Sequence, residues 1–230
     1  VKHTLEIPLK KCTVTCLNLA IIEALRSLAQ PLNMEENERP EIHFKGAQGQ
    51  DYLGAGLSDV HTVVFTGDAG KYAFCGMDEC ECTLDGNAGD FLAHSLASGL
   101  LICKGSVGNS AGAMAHGGLL AVYGSAGDRT AVSLRGADVL IRGNVGTLAG
   151  LDMRQGNLII GGSAGDGLGT GMRGGTIFLR GDASNISPDI EEHRLREPDR
   201  LKLGLLLLKA GIKATVGREF RIFRPTVEHA

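Results

Sequence analysis

Apolar and polar positions along this chain repeat with a period of 19 residues. The unit opens with Gly-x-x-Gly, whose first glycines are Gly67, Gly86, Gly105, Gly124, Gly143 and Gly162 and whose second glycines are Gly70, Gly89, Gly108, Gly127, Gly146 and Gly165. An earlier copy starts at Gly46, 21 residues before Gly67, and a decayed one at Gly181, where Ser184 replaces the second glycine. The second residue of the unit is small and polar (Asp68, Asn87, Ser106, Ser125, Asn144, Ser163, Asp182), a type expected to bond to the backbone of its own turn. The third is Ala or Val throughout, an inward position with little room. The eighth is mostly Gly or Ala (Ala93, Gly112, Ala131, Gly150, Gly169), which marks a second tight bend, and the eleventh is mostly Met or Leu (Met77, Leu96, Leu134, Met153, Met172). The sixteenth and eighteenth are apolar in every full copy, as in Leu101 with Cys103 and Ile177 with Leu179. Alternation of that kind is the period of a strand.

A unit this short has no room for a helix pair, and its strands are too short to stand alone. The arrangement that satisfies both limits is an all-β fold, a right-handed single-stranded β-helix of about seven coils, in which stacking buries the apolar face that one coil cannot bury by itself. Equivalent residues then lie in columns at roughly 4.8 Å. The glycines sit at corners that need a positive φ or a close backbone approach. A phosphate-binding glycine loop occurs once per site, so evenly spaced copies read as architecture.

Both flanks change pattern. Leu17, Ile21, Ala24, Leu25 and Leu28 share one helical face, and Pro31 ends that helix. The segment "NMEENERP" is a polar link into the coils, and "PDIEEHRLREPDR" a charged connector out of them. The stretch "PDRLKLGLLLLKAG" predicts a second helix with Pro198 at its first position, Lys209 in its last turn and Gly211 as C-cap. A short strand, "EFRIF", is expected on an outer edge. The organisation is a helical cap over residues 1–40, a β-helix over 41–187, and a connector, cap helix and strand over 188–230.

Composition narrows the class. The chain has 230 residues, 34 of them glycine, with no Trp and 4% aromatic residues. Glycine without a three-residue period is not collagen, and dense Ile, Leu and Val between the glycines excludes a flexible linker. A net charge of −3 gives no basic face for nucleic acid. The six cysteines lack the spacing of a secreted disulfide framework. No leader or membrane-length apolar run is evident. The expectation is a soluble, cytoplasmic protein with reduced thiols.

The Gly-x-x-Gly coils over residues 41–184, above all "SAGAMAHGGLLAVYGSAGDRTAVSLRGADVLIRGNVG", resemble the GXGXG domain, the C-terminal β-helix of glutamate synthase large subunits. With a helix before the coils and a Leu-rich helix after them, the chain is most similar to the stand-alone β-helix subunit of glutamate-synthase-like and N-methylglutamate-synthase-like complexes. That resemblance implies a non-catalytic structural subunit. Its implied partners are a glutamine amidotransferase-like subunit and a flavin-binding synthase-like subunit. FMN and an iron–sulfur cluster would sit on the partner, with no cofactor on this chain. Separated from those partners, the chain is a candidate for homo-oligomer formation. A second family shares the coil: the β-helix subunits of formylmethanofuran dehydrogenase and of the related formyltransferase/hydrolase complex. Its repeated "MRGG" appears in full here only at Met172–Gly175. In both families the β-helix is scaffold.

Candidate chemistry is sparse. Cys75, Cys80 and Cys82 form C-x4-C-x-C, but no fourth zinc ligand is evident, and core filling suits Cys80, Cys82 and Cys103. Cys12 and Cys16, four apart near the first helix, also read as packing. His94 and His116 fall at different coil positions, and no His-based catalytic grouping occurs. The run "GDGLGTGMRGG" imitates a dinucleotide loop but lies in the repeat register and lacks the acid and helix that should follow. A left-handed β-helix acyltransferase needs a period of about 18 residues in six-residue steps, and a calcium-binding repeat an Asp in each nine-residue turn. The twelfth position is different. His116, Arg135, Arg154 and Arg173 occupy it on four successive coils. At about 5 Å, stacked cations repel by roughly 0.8 kcal/mol per pair even in water. Either carboxylates such as Asp128, Asp152 and Asp166 offset this, or the column is a docking stripe for an acidic partner surface.

Overall fold

Strands form where the alternation at the sixteenth and eighteenth positions lies. The computed structural model describes residues 4–8, 14–29, 41–58, 62–213 and 220–226; Cys12, Pro31 and the link at 33–40 lie outside them, as do the side chains of Cys16, Leu17 and Leu28. Strands β2 (Glu41–Gln50), β3 (Thr62–Ala69), β4 (Glu81–Asp85), β5 (Leu100–Cys103), β6 (Leu119–Val122), β7 (Arg135–Ile141), β8 (Gln155–Ile160) and β9 (Thr176–Leu179) pair in parallel, each with the next. The 19-residue offset holds from Cys82 through Leu101, Leu120, Val139 and Leu158 to Ile177. The result is a β-solenoid of about seven turns. The longer first coil is absorbed by two register shifts between β2 and β3, so Gly67 lies opposite Ala47 rather than the expected Gly46.

The flanks extend and close the stack. Strand β1 (Thr4–Pro8), which the sequence did not reveal, adds in parallel to β2. Helix α1 (Val14–Ala29) buries Ile21 and Leu25 in the solenoid core, and Asn18 bonds to the backbone of Tyr52 and Gly54 in the first coil. At the other end, β11 (Arg221–Pro225) pairs antiparallel with β9 and carries β10 (Ile190–His193) on its far side. Helix α2 (Glu197–Lys209) has Pro198 one residue further in than expected, and Gly211, at φ +67, just past its end.

Two apolar layers meet at the sheet. Inward columns of Ala and Val at the third position, Met or Leu at the eleventh and aliphatics at the sixteenth and eighteenth form the main core. Strands β6 to β9 are also buried on their outer side, where Leu119, Ala121, Leu140, Ile159 and Phe178 meet Leu203 and Ala210 of α2 and Ile222 of β11. Tyr123 pins the end of α2 by donating its hydroxyl to the Ala210 carbonyl at 2.8 Å. Continuous apolar runs such as "LLAV" thus mark strands covered on both faces.

The corners divide between two devices. Of the Gly-x-x-Gly residues from Gly67 to Gly165, only Gly67 has a positive φ. The others are required by close approach: a Cβ on Gly165 would lie 2.8 Å from the Gly146 carbonyl carbon. The polar second residue serves the same stacking. It bonds to the next coil, not to its own turn as expected. Asn87 N–H donates to Asp68, Ser106 N–H to Asn87, Ser125 N–H to Ser106 and Asn144 N–H to Ser125, at 2.7–3.1 Å. A second ladder runs through the fifth position, from Asp90 to the Asn109 N–H and from Asn109 to the Asp128 N–H, both at 2.8 Å.

Left-handed backbone marks the opposite corner. The sixth, eighth and tenth residues of each coil are left-handed, as in Tyr72, Phe74 and Gly76 or Phe91, Ala93 and Ser95. A side chain there costs roughly 1–2 kcal/mol. The alternation lets successive N–H groups bond up and down the stack: Phe91 to Asn109 O, Ala93 to Ala73 O and Ser95 to Ala113 O, at 2.8–2.9 Å. Tyr52, Tyr72 and Phe91 stack in one column with centroids 5.1 and 4.7 Å apart. The two devices separate by mutation. In Gly127→Val the Cβ would strike Asn109 Oδ1 and lie 3.0 Å from the Gly108 carbonyl carbon, and a loss of about 3 kcal/mol is expected in urea unfolding. Gly56→Ala, left-handed but with open space around the Cβ, should cost only about 1 kcal/mol; equal losses would contradict close approach as the constraint.

Candidate functional site

The twelfth-position residues are in register. His116 N–H donates to Leu96 O, Arg135 to Ala115 O, Arg154 to Leu134 O and Arg173 to Met153 O, at 2.8–2.9 Å. All four are exposed, which keeps the three guanidinium charges in water where they cost least. The expected carboxylate ladder does not form. None of the three arginines makes an ion pair among the described residues. Asp128, one of the three acids expected to offset them, instead accepts the Thr147 N–H at 2.8 Å in the fifth-position ladder. The stripe is therefore an exposed row of like charges, held together by the backbone beneath it.

The described cysteines belong to the core and its edge. No group of three or more His, Cys, Asp or Glu side chains able to hold a metal occurs among the described residues. Cys80, Cys82 and Cys103 are buried, with Cys75 half-buried. Cys80 and Cys82 place their sulfurs 3.2 Å apart, and Cys82 and Cys103 fill the sixteenth- and eighteenth-position core columns. His94 packs edge-on against Tyr72 and Phe91 and bonds to the Ala113 carbonyl at 3.1 Å. No described helix is long and apolar enough to cross a membrane.

Comparison with known proteins bears on this architecture. Residues 31–202 match the model of the family described as "GXGXG motif". The chain belongs to the GXGXG motif family. No curated protein matches it. Among solved structures it is similar to a chain of the formyltransferase/hydrolase complex from Methylorubrum extorquens, crystallised with methylofuran. Identity is 22%, coverage 91% of this chain and 88% of that one, and the TM-score 0.55. At that identity the likeness is one of fold.

The pattern that names the GXGXG family explains the false dinucleotide loop. Gly-x-Gly-x-Gly occurs in full only within the run from Gly165 to Gly171, where Gly167, Gly169 and Gly171 are the sixth, eighth and tenth positions of their coil and all left-handed, at φ +72, +73 and +65. Their N–H groups serve the stack rather than a phosphate: Gly169 donates to Ala149 O at 2.9 Å and Gly171 to Asp189 Oδ2 at 2.7 Å. Sequence reasoning missed the outer face of α2, where Leu201, Leu205 and Leu208 are exposed. Their spacing of four and three residues was the available signal.

Burial gives Cys103 a measurable signature. Its thiol is pushed up to about 11 from 9.0, chiefly by loss of solvent. The folded form therefore keeps its proton after the unfolded form has lost it, so stability is intact below pH 9 and falls as pH rises through 9 to 11. The loss attributable to this group is at most about 2–3 kcal/mol. Urea unfolding at about pH 8 and about pH 10.5 should show a smaller alkaline loss in Cys103→Val than in the wild type. Val122 fills the equivalent position of the next coil, so the substitution suits the column. Identical losses would show that Cys103 is not the group responsible.

Proposed function

We propose that this chain is a non-catalytic β-helix subunit that holds other subunits of a multisubunit enzyme complex in fixed relation. The observation that carries the reading is where its polar groups go. Glycines, small polar side chains and left-handed N–H groups bond coil to coil, and the cysteines pack in the core. What remains for chemistry with other molecules is surface, and the His116–Arg135–Arg154–Arg173 row is its most regular part. We assign that row to docking an acidic surface of a partner subunit.

Two observations favour different complexes. The "SAGAMAHGG" to "RGNVG" repeats favour the glutamate synthase type, in which a glutamine amidotransferase-like subunit supplies ammonia. In that case a synthase-like subunit with FMN and an iron–sulfur cluster consumes it. The fold likeness to a β-helix subunit of a formyltransferase/hydrolase complex, nearly complete for both chains, favours one-carbon transfer on a methylofuran-type carrier. Purification of the complex from the native source separates them. A flavin and iron–sulfur spectrum with glutaminase activity supports the first; formyl transfer without flavin supports the second.

The isolated chain should be inert in all three assays: glutaminase, glutamate synthase and formyl transfer. Robust turnover by pure protein would sink the scaffold reading. Replacing Arg135, Arg154 and Arg173 together by Gln should weaken assembly most at low salt, where screening is least. The stability of the isolated subunit should change by no more than about 1 kcal/mol. Assembly unchanged at low salt would remove the stripe from the interface.

A further inference from the structure

Helix α2 is apolar on two sides, and the solenoid uses only one of them. Leu203 and Ala210 are buried against the outer face of the sheet, with Leu206 and Leu207 half-buried beside them. The opposite side carries Leu201, Leu205 and Leu208, which are 61%, 67% and 74% exposed. Spacings of four and three residues put them on one stripe. A helix with a second apolar stripe has more apolar surface than its packing against the sheet can bury. Three leucines this exposed on one stripe make a patch of a few hundred Å², the size of the largest apolar patch on an ordinary monomer, which is often functional.

A second observation lies along one edge of the stripe. Gly204 sits three residues after Leu201 and four before Leu208, its neighbours on the helix surface, and a Cβ placed on it would meet nothing within 4 Å. The fold therefore does not require glycine there, although glycine in a helix interior costs about 1 kcal/mol relative to alanine. It leaves a notch flanked by leucines, the relief into which a side chain of a crossing helix fits. The edge of the stripe has a sign. Lys202 and Lys209 are exposed two turns apart, and the acids of the helix, Glu197 and Asp199, are confined to its first turn.

We propose that the outer face of α2 docks a helix of a different chain, one that is apolar along its contact stripe and acidic along the edge facing Lys202 and Lys209. This rests on the reading of the protein as a scaffold subunit and extends it to a second contact, separate from the arginine row. A second copy of this chain fits less well. Antiparallel pairing about a two-fold axis sets Lys209 of one copy along the edge that bears Lys202 of the other, so like charges meet. A lipid surface also fits less well. The stripe has no aromatic residue to anchor it at an interface, and a notch offers nothing to a fluid bilayer.

The test uses the complex purified from the native source, with Leu205 replaced by a photo-crosslinking phenylalanine analogue. The cross-linked peptide should come from another subunit, with apolar residues at helical spacing and Asp or Glu beside them. In parallel, Gly204→Leu should leave the melting temperature of the isolated chain unchanged or raised while recovery of the complex falls about thirtyfold. Lys202→Glu with Lys209→Glu should weaken assembly more at low salt than at high salt. A cross-link to a second copy, binding of the purified chain to phosphatidylserine vesicles through this face, or a complex that forms normally with Gly204→Leu would each overturn the proposal. A complex that assembles without any cross-link at 205 overturns it while leaving the scaffold reading intact. A chain that purifies alone from its native source overturns both.

Discussion

Every coil of this solenoid forms its hydrogen bonds along the stacking axis, so a residue is answerable to the residues 19 before and 19 after it more than to its chain neighbours. The bonds between coils fix a separation of roughly 4.8 Å, and a side chain that intrudes on that gap has nowhere to go. This is why the Gly-x-x-Gly residues carry no Cβ: at Gly89 it would lie 2.9 Å from the Lys71 nitrogen of the previous coil. The same spacing places the carboxylate of Asp68 under the N–H of Asn87 and that of Asp90 under the N–H of Asn109. The Asn109 N–H holds the Asp90 carboxyl below the usual carboxylate range. Polar side chains, glycines and aliphatics are thus three answers to one constraint, sorted by whether a position faces a corner, the water or the core.

That constraint also settles how much was legible in the sequence. The β-helix, its period and its inward columns were readable because stacking forces equivalent residues to be alike. The outward bonding of the second residue was misassigned because Asp and Asn satisfy a local turn and a neighbouring coil with the same atoms. The left-handed sixth and tenth positions were hidden by their occupants. Tyr72, Phe91, Arg129 and Leu148 are not residues that advertise a positive φ, and their conformation follows from the direction their N–H groups must point. Strand β1 fell below notice because a five-residue addition to the first coil carries no copy of the repeat. The two-sided burial of β6 to β9 was visible in runs such as "NLII", but only the position of α2 shows what covers them.

Function is harder to read for the same reason that the fold is easy. Residues that repeat are explained by stacking, so the informative ones are those that break a column. The aromatic stack at the sixth position ends after Phe91, where Ser110 takes over, and the cationic run at the twelfth begins only at His116. The solenoid is therefore polar in the directional sense, with aromatic surface towards α1 and basic surface towards β11. A stack of interchangeable coils would present the same side chains at every level. These aromatic and cationic side chains are exposed or half-buried outside the main core and give the two ends of the stack different surfaces.

The arginine row shows how the scaffold makes such a marker tolerable. Cations stacked at coil spacing repel one another, and no carboxylate among the described residues forms an ion pair with the three arginines. The backbone beneath is bonded at every step from Ala115 to Met153, and this rigid support holds the charges in line. In a flexible segment the same side chains would spread apart and dilute the field. A rigid repeat thus does for charge what it does for glycine corners: it fixes groups at positions they would not choose separately. Under the docking proposed above, an acidic surface would relieve this repulsion on assembly.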